Sequence, residues 1–148
     1  MKKEPQKKYS KELLGINVLL AEDNELNREI VCELLDEVGI SVDTAENGKT
    51  AVDKVENSDA GTYDIILMDI QMPVMDGYEA TSRIRKLKDP EKSRIPIVAM
   101  TANAFEEDRR HAFEVGMNAH IAKPVDISLL FEVIRDQCLK SHKTGNDS

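Results

Sequence analysis

The sequence predicts an α/β fold: a doubly wound five-stranded parallel sheet with five helices. Three observations carry this. Short continuous apolar runs alternate with segments of helical period along the chain. The runs lack the apolar–polar alternation of a strand wetted on one face, so helices must cover both faces. Right-handed crossovers between parallel strands then place those helices on the two sides.

The elements follow in order. Asn17 to Ala21 reads as a buried strand, and Leu26, Ile30, Leu34, Leu35 and Val38 mark the inner face of the first helix. Gly39 stops that helix. Ile40 to Ala45 is a less regular second strand. Asn47-Gly48 then turns into a helix carrying Ala51, Val52 and Val55. Asp64 to Met68 is the most hydrophobic strand. After a loop with Pro73, a third helix starts near Gly77 and holds Ala80, Ile84 and Leu87. Ile95 to Met100 is the fourth strand. Phe105, Ala112 and Phe113 mark the fourth helix, and Ala119 to Ala122 is a short fifth strand. Pro124 leads into a last helix with Leu129, Leu130, Val133, Ile134 and Cys138 inward.

Composition narrows the classes. The chain has 148 residues and a formal charge of −8, which suits one acidic domain with its own core. The acidic balance opposes a nucleic-acid binder. No apolar run is long enough to span a bilayer. Cys32 and Cys138 stand far apart and support neither a disulfide framework nor a thiolate metal site. A reducing cytoplasm is the expected setting. Residues 1–14 read as a polar linker or tail, 15–140 as the folded domain and 141–148 as a second polar tail.

Ligands of an open parallel sheet bind beyond the carboxyl ends of its strands. Glu22-Asp23 follows strand one, Asp69 strand three, Thr101 strand four and Lys123-Pro124 strand five. Three carboxylates, a hydroxyl and an ammonium therefore meet at one rim. Each pair of like charges costs roughly 4 kcal/mol at 4 Å and an effective dielectric near 20. One lysine cannot neutralise three acids, so either one acid stays protonated or a cation is present. An all-oxygen donor set selects a hard cation and suits Mg²⁺. A cation, an ammonium and a hydroxyl around one carboxylate form a phosphoryl clamp, with Asp69 as nucleophile. Taken singly, Glu22-Asp23 and Thr101 also read as helix caps and Lys123 as a surface lysine.

The residues then carry a resemblance. Leu19-Leu20-Ala21-Glu22-Asp23-Asn24, Met68-Asp69-Ile70-Gln71-Met72-Pro73-Val74-Met75-Asp76-Gly77, Ala99-Met100-Thr101-Ala102 and Ala122-Lys123-Pro124 appear in order. Together they resemble the receiver domain of two-component response regulators, over about Asn17 to Leu139. The resemblance implies a flavodoxin-like sheet in strand order 2-1-3-4-5. It implies that Asp69 accepts a phosphoryl group from a phosphohistidine. Glu22, Asp23, Asp69 and the Gln71 backbone carbonyl resemble the Mg²⁺ ligands. Thr101 resembles the switch hydroxyl and Lys123 the cationic partner of the phosphoryl group, and a cis bond at Pro124 is implied. His120 stands at a switch position where Tyr or Phe is more frequent, and its imidazole adds a group that titrates near neutrality.

The implied partners are a histidine kinase core and a histidine phosphotransfer domain, with no nucleic acid and no membrane contact by this domain. The surface of the fourth helix, fifth strand and fifth helix is the expected output or homodimer face. Leu20 to Asn27 and Gly116 to Val125 resemble receivers of hybrid sensor histidine kinases, which would tether the domain to a membrane sensor. The alternative is a stand-alone single-domain regulator. A turnover phosphatase is disfavoured, because the loops leave no room for a cap. A flavin or nucleotide binder is disfavoured by the missing glycine-rich motifs.

Overall fold

The computed structural model describes residues 13–102 and 106–147. In chain order the elements are β1 (Asn17–Ala21), α1 (Glu25–Glu37), β2 (Ser41–Ala45), α2 (Gly48–Asn57), β3 (Ile65–Asp69), α3 (Gly77–Arg85), α4 (Pro90–Ser93), β4 (Ile97–Thr101), α5 (Glu106–Val115), β5 (Ala119–Ala122) and α6 (Ile127–Asp147). Six helices are described where the sequence predicts five. The addition is α4, a single turn that Pro90 opens and the Asp89 side chain caps. The expected fourth and fifth helices are therefore α5 and α6.

All strand pairs are parallel, and the order is β2-β1-β3-β4-β5. The register levels the carboxyl ends. Ala21 pairs with Met68, Met68 with Ala99, and Thr101 with Ala122. Whatever follows β1, β3 and β5 thus emerges on one rim beside Thr101.

Alternate strand residues feed two cores. Leu19, Ile66, Met68 and Ile97 pack with Val52 and Val55 of α2, Ile84 of α3 and Ala112 of α5. Leu20, Ile65, Leu67 and Val98 pack with Val31 and Leu35 of α1 and with Leu130 and Ile134 of α6. β3 and β4 are buried along their whole length. β2 lies at the sheet edge and is half-wetted, which explains its irregular sequence pattern.

Several expected orientations are corrected. α1 turns Val31 and Leu35 to the sheet and leaves Leu26 and Ile30 exposed. Both rows have four-residue spacing, and only one can face the core. The inner row continues through Val38 to Ile40, both buried. In α5, Ala112 is buried and its neighbour Phe113 is 52% exposed, as adjacent positions on a helix diverge by about 100°. In α6, Leu129 is exposed and Phe131 is buried instead. Leu13, inside the expected N-terminal tail, is fully buried in the second core. α6 continues through residues assigned to the C-terminal tail. Phe105 and residues 1–12 lie outside the described residues.

Candidate functional site

β1 delivers Glu22 and Asp23 to the rim, and the chain turns at once into α1. The Asn24 side chain caps that helix by accepting from the Asn27 N–H at 2.9 Å. Capping is thus done by Asn24, which leaves the two acids for other work. Glu22 is almost fully buried and closely held. Its N–H donates to the Ala45 carbonyl at 3.0 Å, and its own carbonyl accepts from Arg28 at 2.9 Å. Its Oε2 accepts from the Asn24 N–H at 3.1 Å. Asp23 is exposed beside it.

Asp69 ends β3 and is 5% exposed. Ligand oxygens of Glu22, Asp23 and Asp69 all lie within 4.8 Å of one another. Lys123 Nζ bridges two of these acids, at 3.0 Å from Glu22 Oε1 and 3.1 Å from Asp69 Oδ2. The Lys123 backbone N–H donates to the Thr101 carbonyl at 2.8 Å, which ties β5's exit to β4's end. The Lys123–Pro124 bond is cis. Thr101 is buried at the same rim. Glu22, Asp23, Asp69, Gln71, Thr101 and Lys123 line one cleft of about 210 Å³. All the site residues expected from sequence except His120 are thereby brought together.

The electrostatics match that crowding. Burial, with the charges of Glu22 and Asp23, pushes the Asp69 carboxyl up to about 6, against the opposing pull of Lys123. Burial works against the Lys123 ammonium. Its hydrogen bond to Glu22 and the charge of Asp69 outweigh that effect and hold its pKa above the ordinary range. One ammonium among three carboxylates leaves net negative charge, and the donors are all oxygen. A hard divalent cation fits such a set.

The loop after β3 adds Ile70 and Gln71 to the cleft lining and leads into α3. A Cβ on Gly77 would run into the Asp69 carbonyl oxygen, so only glycine lets α3 start there. Asp76 caps α3 by accepting from the Glu79 N–H. Val74 sits at φ 70° in this loop, a conformation that β-branched residues rarely adopt. Met68 and Met75 are core residues, and Met72 packs against the same core.

His120 stands apart on β5. Its ring meets Phe113 of α5 edge-on at 6.4 Å. Burial and then Arg109 hold the imidazole below its ordinary pKa. Two contributors escaped sequence reading. Arg28 anchors the Glu22 carbonyl, and Tyr78 ties α3 to α5 through the His111 ring, 4.1 Å away. A side chain bonded to a backbone carbonyl leaves no periodic trace, so Arg28 gave no signal.

Comparison with known proteins agrees with this geometry. Residues 18–135 match the response regulator receiver domain family. Hybrid signal transduction histidine kinase I of Dictyostelium discoideum is 40% identical over 131 residues, 87% of this chain. The chain spans only 8% of that kinase's length. The receiver domain of the sensor histidine kinase PA1611 from Pseudomonas aeruginosa, solved with magnesium in its active site cleft, is 37% identical. It superposes with a TM-score of 0.75, covering 84% of this chain and 98% of that one. The Saccharomyces cerevisiae Ssk1 receiver, solved with the histidine phosphotransfer protein Ypd1, is 33% identical with a TM-score of 0.78. That match covers 87% of this chain and 92% of the other. The chain is similar to the receivers of hybrid histidine kinases and belongs to the response regulator receiver domain family.

Proposed function

We propose that Asp69 accepts a phosphoryl group from a phosphohistidine and passes it onward in a phosphorelay. The observation that carries this is the buried Asp69 carboxylate, held by Lys123 at 3.1 Å inside a three-acid cluster. An Asp69 oxygen attacks phosphorus, the P–N bond breaks, and the imidazole leaves and takes a proton from solvent. The product is an acyl phosphate on Asp69. Asp23, Asp69, Glu22 and the Gln71 carbonyl would hold Mg²⁺, which when bound neutralises charge on the carboxylates and the phosphoryl oxygens. Lys123 stays beside Asp69 and pairs with a phosphoryl oxygen, and the Thr101 hydroxyl donates to another. The inward turn of Thr101 couples the site to α5 and β5, where Phe113 and His120 meet edge-on.

In this reading the domain undergoes one phosphorylation per donor and slow hydrolysis rather than turnover of a free substrate. It works in the cytoplasm as the receiver of a hybrid histidine kinase. Its donor is a kinase core, and its acceptor is a histidine phosphotransfer domain. The α5–β5–α6 face is its switching surface. The relevant homologue was solved on a histidine phosphotransfer protein, which supports the partner class. A histidine phosphotransfer domain carrying labelled phosphohistidine tests it. Label should pass to this chain with Mg²⁺ present, return to the unlabelled domain, and be absent on Asp69→Asn. Label that stays on the donor, or reaches the variant equally, contradicts the proposal.

A further inference from the structure

Arg28 lies one turn into α1 and reaches back to the elbow between β1 and that helix. It is half-buried, and its Nη1 donates to the Glu22 carbonyl at 2.9 Å. Ordinary helix chemistry would direct it elsewhere. Glu25 stands three residues earlier, at ion-pair spacing. Arg28 nevertheless makes no ion pair among the described residues. A base this near a helix start also opposes the helix dipole. What the side chain gains in this place is the bond to the carbonyl.

That carbonyl sits at a critical joint. β1 ends at Ala21, and the Glu22 N–H is still held by the Ala45 carbonyl at 3.0 Å. The Glu22 carbonyl belongs to the next peptide, and a peptide is planar. The same plane carries the N–Cα bond of Asp23. A hydrogen bond from Arg28 therefore fixes the base from which the Asp23 side chain projects. The three acids of the cluster differ in how else they are held. Glu22 is tied by the Asn24 N–H and by Lys123, and Asp69 by Lys123. The exposed Asp23 carboxylate has no hydrogen bond or ion pair among the described residues. Its aim is set by its backbone.

We propose that Arg28 is a positioning residue for the cation: through the Glu22–Asp23 peptide it aims the Asp23 carboxylate into the acidic cluster. This rests on the phosphoacceptor reading, in which Glu22, Asp23, Asp69 and the Gln71 carbonyl would hold Mg²⁺. Charge and position act in opposite directions here. A guanidinium beside three acids repels an incoming cation, so its removal tightens Mg²⁺ binding if charge is its whole effect. If aim decides, its removal weakens binding.

Titration of the full chain with Mg²⁺, followed by amide NMR shifts at the rim, reads that sign. Arg28→Met keeps the stem and removes charge and donors together. It should weaken Mg²⁺ binding about tenfold, the scale of losing an outer partner of a metal ligand. Arg28→Lys retains the charge and a single-point donor, and its affinity should fall between the two. In an Asp23→Asn background, Arg28→Met should change affinity by less than about twofold, because the group it aims is already altered. Unshifted amides in β4 and α6 identify folded variants. Equal or tighter Mg²⁺ binding by Arg28→Met overturns the proposal and leaves the phosphoacceptor reading standing. A further loss of about tenfold in the Asp23→Asn background overturns it too, since the two residues then act independently. A native chain that binds no Mg²⁺ overturns the proposal and the phosphoacceptor reading together.

Discussion

At the Asp69 rim, single groups hold a balance that single substitutions should tip. Lys123 is the only ammonium within reach of the acid cluster among the described residues. Lys123→Met should therefore slow Asp69 phosphorylation about 10²-fold, the usual cost of one preorganised charge donor. Rates from a small acyl-phosphate donor, followed by intact mass, check this. His120 offers a second reading. Its folded-state pKa lies below the ordinary value, from burial and from Arg109. A depressed histidine stabilises the fold above its unfolded pKa, about 6.5, and that contribution fades as pH falls through the folded value. The His120 ring signals should titrate below about 6.5, and Arg109→Ala should bring the midpoint back toward it. A midpoint above that value contradicts the assignment. The rim residues were legible because each ends or directly follows a strand. Glu22, Asp23, Asp69, Thr101 and Lys123 needed only the strand ends to be found. The Arg28 anchor was illegible, since its partner is a carbonyl.

Elements were legible where one apolar row exists and ambiguous where two compete. α2 has a single row, and Ala51, Val52 and Val55 are buried as their spacing demands. α1 has two, and sequence alone could not say which the sheet would take. The energetic contrast is large. Leu35→Ala should cost about 3 kcal/mol, because Leu35 is fully buried. Leu26→Ala, on the exposed row, should change stability by less than about 0.5 kcal/mol. Urea unfolding of both variants decides between the two faces. The β3–α3 loop carries its own strain at Val74, which is 78% exposed and so contributes little packing. Val74→Asn, tolerant of φ near 70°, should raise stability by about 1 kcal/mol in the same assay. Arg85 binds three carbonyl oxygens, of Ser93, Ile95 and Gly116, and the Asn118 side chain. It thereby clasps α3, the α4 turn and the loop before β5, a long-range tie with no local signature.

For the whole molecule, parallel register is what turns separated residues into a site. The pairing of Ala21 with Met68, Met68 with Ala99 and Thr101 with Ala122 brings Glu22 and Lys123 together across 101 positions of sequence. The alternation of apolar runs and helical segments sufficed to infer the layers, but strand order came only with the family resemblance. Periodicity carries no information on which strands are neighbours. The helix boundaries were less legible: α4 is one capped turn, and α6 extends into the expected tail. In the proposed function a cation held by the acidic cluster at this rim offsets the negative charge that phosphorylation adds. The most direct measurement is therefore intact mass after incubation with Mg²⁺ and a small acyl-phosphate donor, with Asp69→Asn and an EDTA-treated sample alongside. One added phosphate on the native chain alone, absent from both controls, is the expected result. The same adduct on Asp69→Asn, or undiminished with EDTA, would contradict a metal-dependent phosphoacceptor at Asp69.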